Sequence, residues 1–254
     1  ENHRPKKIFR HEIGKSIKED LLIFEERTPA FTVSIGVSAD EKYYFINSSD
    51  HNTSEKYYFK SNESLPKPKI VRKREKGIIY NVSSWGGYFY IHTNKGAEDF
   101  KIERSRDIEA SKWDAFIPAK NETMIGGLTF LKNWIIRSEL NNALDKIFVR
   151  DINSNKEEEL IFTDEEVYDG SISHTQKDRN TDLIYISYST PKTQARTYLY
   201  NLKTKEKKLV KEQVIPTGHD PKNYIVQRIE CNSNDGRKVP VSYTHLTLPT
   251  TSCV

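Results

Sequence analysis

Tyr43-Tyr-Phe-Ile46 is the first of four short apolar runs that return along the chain at nearly even spacing. The others are Tyr88 to Ile91, Trp134 to Ile136 and Leu183 to Ile186, and their closing isoleucines, at positions 46, 91, 136 and 186, are 45, 45 and 50 residues apart. A repeat of roughly 40–50 residues with several short strands is typical of a propeller blade, because one small sheet cannot bury its faces without neighbours. The spacing predicts an all-β fold, a partial β-propeller of four-stranded antiparallel blades.

The strand predictions follow this repeat. Lys6 to Arg10 and Leu21 to Phe24 are predicted as the last strands of a blade whose first half precedes residue 1. Four complete blades follow, and Gly86-Gly87 is predicted to form a tight turn in the second. Their strands are predicted at Phe31 to Val37, Tyr43 to Ser48, Glu55 to Lys60 and Lys69 to Arg72; Ile78 to Ser83, Tyr88 to Thr93, Phe100 to Arg104 and Trp113 to Ile117; from Met124, then Trp134 to Ser138, Lys146 to Ile152 and Glu159 to Phe162; and Gly170 to His174, Asp182 to Tyr188, Thr197 to Leu202 and Lys207 to Val210.

Composition and charge narrow the class of protein. Apolar residues make up 35% and charged residues 30% of the 254 residues, which suits half-buried strands. No stretch approaches the roughly 18 consecutive apolar residues of a membrane span, and two cysteines cannot form a disulfide framework, so we expect a cytoplasmic chain. The net charge of +4 attracts phosphate only weakly. We therefore expect neither nucleic acid nor a membrane as a partner.

Two segments carry a resemblance to a known family. One is Ile186-Ser-Tyr-Ser-Thr-Pro191, followed by a Tyr-bearing strand and the turn that ends at Glu206. The other is Arg228 to Ser242, which ends in Asn-Asp-Gly-Arg-Lys-Val-Pro-Val-Ser. In order and spacing the chain resembles the prolyl oligopeptidase family of serine peptidases, and within it the oligopeptidase B (protease II) branch. His11-Glu-Ile-Gly14 and Glu25-Glu26 also fit this branch.

The resemblance implies an architecture and an activity. Members of the family have a seven-bladed propeller that caps an α/β-hydrolase domain, and oligopeptidase B cleaves short peptides after Arg or Lys. This chain would hold about four blades and a remnant, with short basic peptides and the hydrolase domain as its partners. The expected parts are the end of a blade at 1–27, four blades at 28–215, a connector and first hydrolase strand at 216–242, and a tail at 243–254.

The sequence lacks the motifs of a catalytic site. The sequence contains no Gly-x-Ser-x-Gly, the turn that exposes the nucleophile of an α/β-hydrolase. Without that serine His92, His174 and His219 are interpreted as polar strand or loop residues. His11-Glu12 lacks the second histidine of a zinc helix. We therefore predict no catalytic residue, no metal site and no cofactor in this chain, and the residues that bind substrate remain unassigned.

Charged runs and tryptophans have functional and structural interpretations. Lys67 to Lys76 could bind an acidic partner, and Glu157 to Glu159 with Asp164 to Glu166 could attract basic peptides. We favour solvated blade edges for all three runs: the charges of the basic run would discourage the addition of another strand, and no spacing fixes where the acidic side chains point. The three tryptophans are interpreted as packing between blades rather than as a stacking platform. They are Trp85, Trp113 and Trp134.

The end of the sequence raises a separate question. Tyr243 to Val254 does not continue the strand expected from Val239 to Ser242, and it resembles translated library-adapter sequence. We expect this tail to be non-native. Two functions stay open: the gating propeller of a serine oligopeptidase whose catalytic triad lies outside this chain, or a non-catalytic propeller that binds a protein or peptide partner. An inactive family member is a weaker third possibility.

Overall fold

β-Strands make up nearly all of the regular structure. The computed structural model describes residues 4–174 and 179–246, and these residues form twenty strands, two three-residue 3-10 helices (Ile17–Glu19 and Pro221–Asn223) and no α-helix. The prediction of an all-β fold with four-stranded antiparallel sheets is confirmed. By its contacts the chain divides into two units, Glu1–Asn121 and Glu122–Val254.

The first unit contains a two-stranded sheet and two four-stranded sheets. Its strands are β1 Lys7–Arg10, β2 Leu21–Glu25, β3 Thr32–Val37, β4 Tyr43–Ser49, β5 Ser54–Lys60, β6 Lys69–Arg72, β7 Tyr80–Trp85, β8 Tyr88–Thr93, β9 Lys101–Ser105 and β10 Asp114–Ile117. β1 pairs with β2, and within each larger sheet the strands lie side by side in chain order, β3 to β6 and β7 to β10. All pairs are antiparallel, as short connections between consecutive strands require.

The second unit contains two four-stranded sheets and a hairpin. Its strands are β11 Thr123–Leu131, β12 Trp134–Asn141, β13 Leu144–Asp151, β14 Glu157–Glu159, β15 Asp169–His174, β16 Leu183–Thr190, β17 Thr193–Asn201, β18 Lys207–Glu212, β19 Tyr224–Asn232 and β20 Lys238–Leu246. The larger sheets again follow chain order, β11 to β14 and β15 to β18, and β19 pairs only with β20 among the described strands.

The tight turn predicted at Gly86-Gly87 is confirmed. Trp85 pairs with Tyr88, so the two glycines form a two-residue loop between β7 and β8. Their φ angles are +60° and +77°. Positive φ at both central residues defines a type I′ turn, whose twist matches that of the flanking strands.

Each unit has a core between its consecutive sheets. In the first unit Phe45 and Tyr58 of the β3–β6 sheet pack with Phe89 and Ile91 of the β7–β10 sheet. In the second unit the buried cluster joins residues of β12 and β13 to residues of β16. Its members include Trp134, Ile136, Ile147, Val149, Ile184 and Ile186. Burial of one sheet against the next is the packing that the repeat predicts.

Many strand boundaries differ from the predictions by one to four residues, and two of these differences are informative. The strand predicted at Glu159 to Phe162 is wrong in position, because β14 is Glu157–Glu159. Leu160 and Phe162 are buried in the core with 7% and 6% of their surface exposed. Leu160 N–H still donates to the carbonyl oxygen of Ile147 at 2.8 Å, so the contact with β13 continues one residue past β14. The expectation that residues 243–254 leave the strand is wrong for 243–246, since β20 continues to Leu246.

The predicted division of the chain is untested by these contacts. The boundaries after residues 27, 215 and 242 stay predictions, as does the non-native origin of the tail, of which residues 247–254 lie outside the described part. Across 4–174 and 179–246, none of the helices has the length and apolar character needed to traverse a bilayer.

Gly170→Ala is expected to destabilise the protein by about 1–3 kcal/mol through overpacking. A Cβ atom at this position would lie 2.5 Å from Phe162 Cε2. Gly36→Ala is the matched control, because Gly36 also lies in the first strand of its sheet and has no atom within 4 Å of such a Cβ. The free energy of unfolding, measured with urea, tests the difference. Equal stability of the two variants would contradict it.

Candidate functional site

The three histidines considered as catalytic residues lie in strands or loops, as predicted. His92 lies in β8 and stacks on Phe100 with ring centroids 4.6 Å apart. His174 ends β15 and is half-buried. His219 lies in the loop before β19, where its Nε2 is 2.6 Å from the carbonyl oxygen of Lys192. These local contacts agree with their interpretation as polar structural residues.

His11 and Glu12 also have local partners. His11 Nδ1 lies 2.7 Å from Asp20 Oδ1, and Glu12 forms an ion pair with Lys15 at 3.1 Å. Both pairs are in the loop between β1 and β2. Within residues 4–174 and 179–246 no group of three or more His, Cys, Asp or Glu side chains could hold a metal ion.

Two of the three tryptophans pack between sheets, as predicted. Trp113 is 6% exposed and belongs to the core that joins the two larger sheets of the first unit. Trp134 of β12 is 9% exposed, and its indole Nε1 donates a hydrogen bond to Asp182 Oδ1 at 2.7 Å, just before β16. Trp85 is half-buried at the end of β7, and its role stays a prediction.

The most extensive polar cluster of the first unit centres on Arg74. Its Nη2 lies 2.7 Å from both Glu26 Oε2 and Glu55 Oε2, and its guanidinium carbon stands 4.2 Å from the centroid of the Phe31 ring. Glu26 is 5% exposed and also accepts a hydrogen bond of 2.5 Å from Ser48 Oγ. The cluster therefore connects the end of β2 to the β3–β6 sheet and to the segment after β6.

These contacts determine the protonation of both carboxylates. Burial alone would raise the pKa of Glu26, but hydrogen bonds from Ser48, Arg74 and Thr28 outweigh it and lower the pKa to about 2. The pKa of Glu55 is lowered in the same way: burial opposes ionisation, and Arg74 and Tyr57 overcome it. Two buried anions that share one arginine are stable only while the arginine stays between them.

The basic run Lys67 to Lys76 includes the outer strand β6, and its four lysines are exposed, as the edge interpretation requires, but its two arginines are paired within the unit. Besides Arg74, Arg72 Nη2 pairs with Glu103 Oε2 at 3.3 Å, and Lys69 Nζ pairs with Glu109 Oε1 at 2.9 Å. The two arginines are half-buried. Three of the six cations in the run thus have carboxylate partners within the same unit, which leaves them less available to an acidic ligand.

The acidic run Glu157 to Glu159 likewise has partners within its own unit. β14 is the outer strand of its sheet, as the edge interpretation requires. However, Glu157 Oε2 lies 2.6 Å from Arg137 Nη1 and 3.0 Å from Arg150 Nε, and Glu158 pairs with Lys205. In the second acidic run Glu165 pairs with Lys192. These carboxylates are therefore poorly placed to attract a basic peptide.

Lys56 of β5 is the exception among the buried charges. Only 8% of its surface is exposed, and its Nζ donates to the neutral side-chain oxygen of Asn81 at 2.9 Å. Burial lowers the pKa of Lys56 to about 8. Among the buried charged side chains that the structure describes, Lys56 is thus the one whose charge is balanced by no oppositely charged partner.

Two clefts lie beside the β1–β2 sheet. One, of about 360 Å³, has mainly apolar walls that include Phe9, Ile35 and Phe59. The other, of about 330 Å³, lies between the β1–β2 loop and the β5–β6 loop and is lined mainly by charged side chains. Arg10 borders both clefts and donates a hydrogen bond to the carbonyl oxygen of Ser64. Each volume would accept a few amino-acid side chains.

Comparison with known families identifies the fold that these sheets form. A sequence model described as "Prolyl oligopeptidase, N-terminal beta-propeller domain" matches residues 1–213. The chain belongs to this family. The resemblance stated from the sequence is confirmed, and the successive four-stranded sheets are the blades of its propeller domain.

The individual relatives that the chain matches are longer peptidases. Protease 2 of Moraxella lacunata is 29% identical over 248 residues, which are 97% of this chain and 35% of that protein. Dipeptidyl aminopeptidase BI of Pseudoxanthomonas mexicana is 27% identical over 94% of this chain and 33% of its own length. Oligopeptidase B from Trypanosoma brucei, in a closed form with covalently bound antipain, matches with a TM-score of 0.86 at 26% identity, over 96% of this chain and 36% of that one. The chain spans about a third of the length of these relatives.

The sequence did not reveal the Arg74 cluster or the buried Lys56. Glu26, Glu55 and Arg74 come from three separate segments, and no spacing relates them. Lys56 lies in an apolar strand pattern next to two tyrosines, where a lysine is expected to point to solvent. Only the stacking of one sheet on the next brings Lys56 to Asn81.

Arg74→Met is expected to lower the free energy of unfolding by about 3–5 kcal/mol, because it leaves Glu26 and Glu55 buried without their cation. Urea unfolding at pH 7 measures the loss. Lys73→Met is the control, since Lys73 is exposed, and its effect should stay within about 0.5 kcal/mol. Equal losses in the two variants would exclude the proposed role of Arg74.

Glu26 should make the free energy of unfolding depend on pH between about 4.5 and 2. Its pKa of about 2 in the folded chain lies below its ordinary value of 4.5, so its ionised form stabilises the fold above pH 4.5 and this stabilisation is lost as the pH falls towards 2. Glu26→Gln should reduce the slope of unfolding free energy against pH in this window by up to about 1.4 kcal/mol per pH unit. Glu25→Gln, at an exposed neighbour, is the control. An unchanged slope in Glu26→Gln would refute this assignment.

Proposed function

We propose that this chain is the propeller portion of a serine oligopeptidase and that it limits which substrates reach a separate catalytic domain. The family is that of the prolyl oligopeptidase propeller, and its relatives named above are peptidases about three times as long as this chain. The propeller contributes a barrier to large substrates, and the chemistry belongs to another part of the protein.

The observation that carries this proposal is the β19–β20 hairpin. It follows the residues matched by the family model, and its nine cross-strand pairs run from Tyr224 to Asn232. Residues two apart in one strand, and those directly opposite in the other, share a face. Ile225, Ile229, Val239 and Val241 thus lie on one face, with 37–45% of their surfaces exposed.

Such a hairpin needs a further partner. An isolated pair of strands is marginally stable in water, and a contiguous exposed apolar face marks a surface that another element covers. We propose that this element is the catalytic α/β-hydrolase domain of the same protein, in which β19 and β20 are the first strands. The serine, histidine and aspartate of the triad would lie in that domain, consistent with the lack of a Gly-x-Ser-x-Gly turn in these 254 residues.

The preferred substrates would be short peptides cleaved after Arg or Lys. Recognition of a guanidinium or ammonium group needs a carboxylate that is free to pair with it. Among the described residues Glu26, Glu55 and Glu157 already pair with arginines. We therefore propose that the carboxylates that select basic residues belong to the catalytic domain, whereas the propeller selects by size.

The proposed setting is the cytoplasm, with peptides as the partners and with neither nucleic acid nor membrane bound. The near balance of 40 basic and 36 acidic residues supports the exclusion of polyanionic partners. A non-catalytic propeller remains the rival function. It would require that the intact gene encode no nucleophile turn downstream of this segment.

The full-length protein, expressed from the intact gene, should cleave a short arginyl peptide and leave a folded protein with exposed Arg and Lys uncut. A second peptide with Ala in place of Arg should be cleaved far more slowly. The measurement is kcat/KM for each substrate. The unfolded form of the protein substrate is a control that its sequence contains cleavable sites. Equal cleavage of the peptide and the folded protein would defeat the size filter, and equal cleavage of the two peptides would defeat the basic preference.

A further inference from the structure

Lys56 carries a buried positive charge that no described carboxylate neutralises. Only 8% of its surface is exposed, and its Nζ donates a hydrogen bond to the amide oxygen of Asn81 at 2.9 Å. A buried ammonium group with only a neutral partner is unfavourable, because one hydrogen bond does not replace the hydration that the charge loses. The site therefore favours the approach of an anion.

The charges of the neighbouring strands do not offset Lys56. Its cross-strand partner on β6 is Arg72, a second cation, and the partner on β4 is the neutral Asn47. Glu103 of β9 pairs with Arg72 and with Lys101. On the opposite face of the sheet Glu55 is held by Arg74. The carboxylates of these strands are thus paired with other cations, and burial alone accounts for the lowered pKa of Lys56.

Asn81 connects this charge to the surface. Its side chain is exposed on β7. Lysine can only donate, so the amide must turn its oxygen to Lys56 and its Nδ2 away from it. None of the described residues accepts a hydrogen bond from Asn81 Nδ2. The exposed end of Asn81 therefore presents N–H donors, with the ammonium group directly behind the amide.

We propose that Asn81 and Lys56 together form a binding point for a carboxylate group. The carboxylate would accept a hydrogen bond from Asn81 Nδ2, and the charge of Lys56 would strengthen that bond through the polarised amide. The carboxylate-binding point stands on the geometry of the first unit alone. The identification of the natural ligand as the terminal carboxylate of a short peptide rests on the proposed function.

Proton linkage provides the test. A carboxylate that binds beside Lys56 must favour the charged amine, so binding raises the pKa of Lys56 above its value of about 8. NMR titration of the 254-residue chain labelled with ¹³C at lysine Cε measures this pKa, and the Lys56 resonance is the one missing from Lys56→Arg. Tenfold tighter binding of acetate to the charged form corresponds to a rise of about one pH unit at saturation.

The variants and ligands separate the outcomes. In acetate, compared with chloride of equal ionic strength, the pKa of Lys56 should rise in the parent chain and in Asn62→Ala, an exposed asparagine elsewhere in the unit, and not in Asn81→Ala. A rise that persists in Asn81→Ala, or an equal rise in chloride, would overturn the carboxylate site. Glycylglycine should act like acetate, and glycylglycine amide should not. A response to acetate without one to glycylglycine would overturn the peptide source alone, and none of these results depends on peptidase activity.

Discussion

The burial of each small sheet against the next is the constraint on which both units depend. A sheet of four strands, some only three to six residues long, cannot bury enough apolar surface by itself. In the first unit Phe45 and Tyr58 meet Phe89 and Ile91, and in the second the cluster around Ile136 continues to Ile186. Each sheet is therefore both a layer and the support of its neighbour, which explains why the apolar markers recur once per sheet.

The Arg74 cluster extends the same constraint to polar groups. The contact between the end of β2 and the β3–β6 sheet includes two carboxylates, Glu26 and Glu55, and each has 5% of its surface exposed. Such anions are tolerated because Arg74 and Ser48 replace the water that they lose. The Arg74 cluster also specifies how β2 and the β3–β6 sheet are aligned, since a shift of one against the other would separate Arg74 from one of its carboxylates. Apolar packing alone does not impose such an alignment.

The sequence predicted the repeat more reliably than the positions where charged side chains act. Strand identity follows from apolar runs such as Tyr88 to Ile91, and turn geometry follows from Gly86-Gly87, because both signals are local. The strand at Glu159 to Phe162 was misplaced because a core contact and a strand produce the same apolar pattern. The pairing of Arg74 was missed, and Lys56 was not singled out, for a different reason. Whether a cation is solvated, paired or buried depends on residues far away in sequence, as the Arg74 contacts with Glu55, 19 residues away, and Glu26, 48 residues away, illustrate.

The ion pairs within the chain bear on the proposed selection of substrates by size. Carboxylates that already hold an arginine, as Glu157 holds Arg137 and Arg150, cannot also select a basic substrate without giving up that contact. Ion pairs of this kind leave little net charge at their positions, which agrees with the proposed selection of peptides by size. Lys56 departs from this pattern, because its only described partner is an amide. The carboxylate proposed to bind at Asn81 would supply the counter-ion that the described neighbours of Lys56 do not provide.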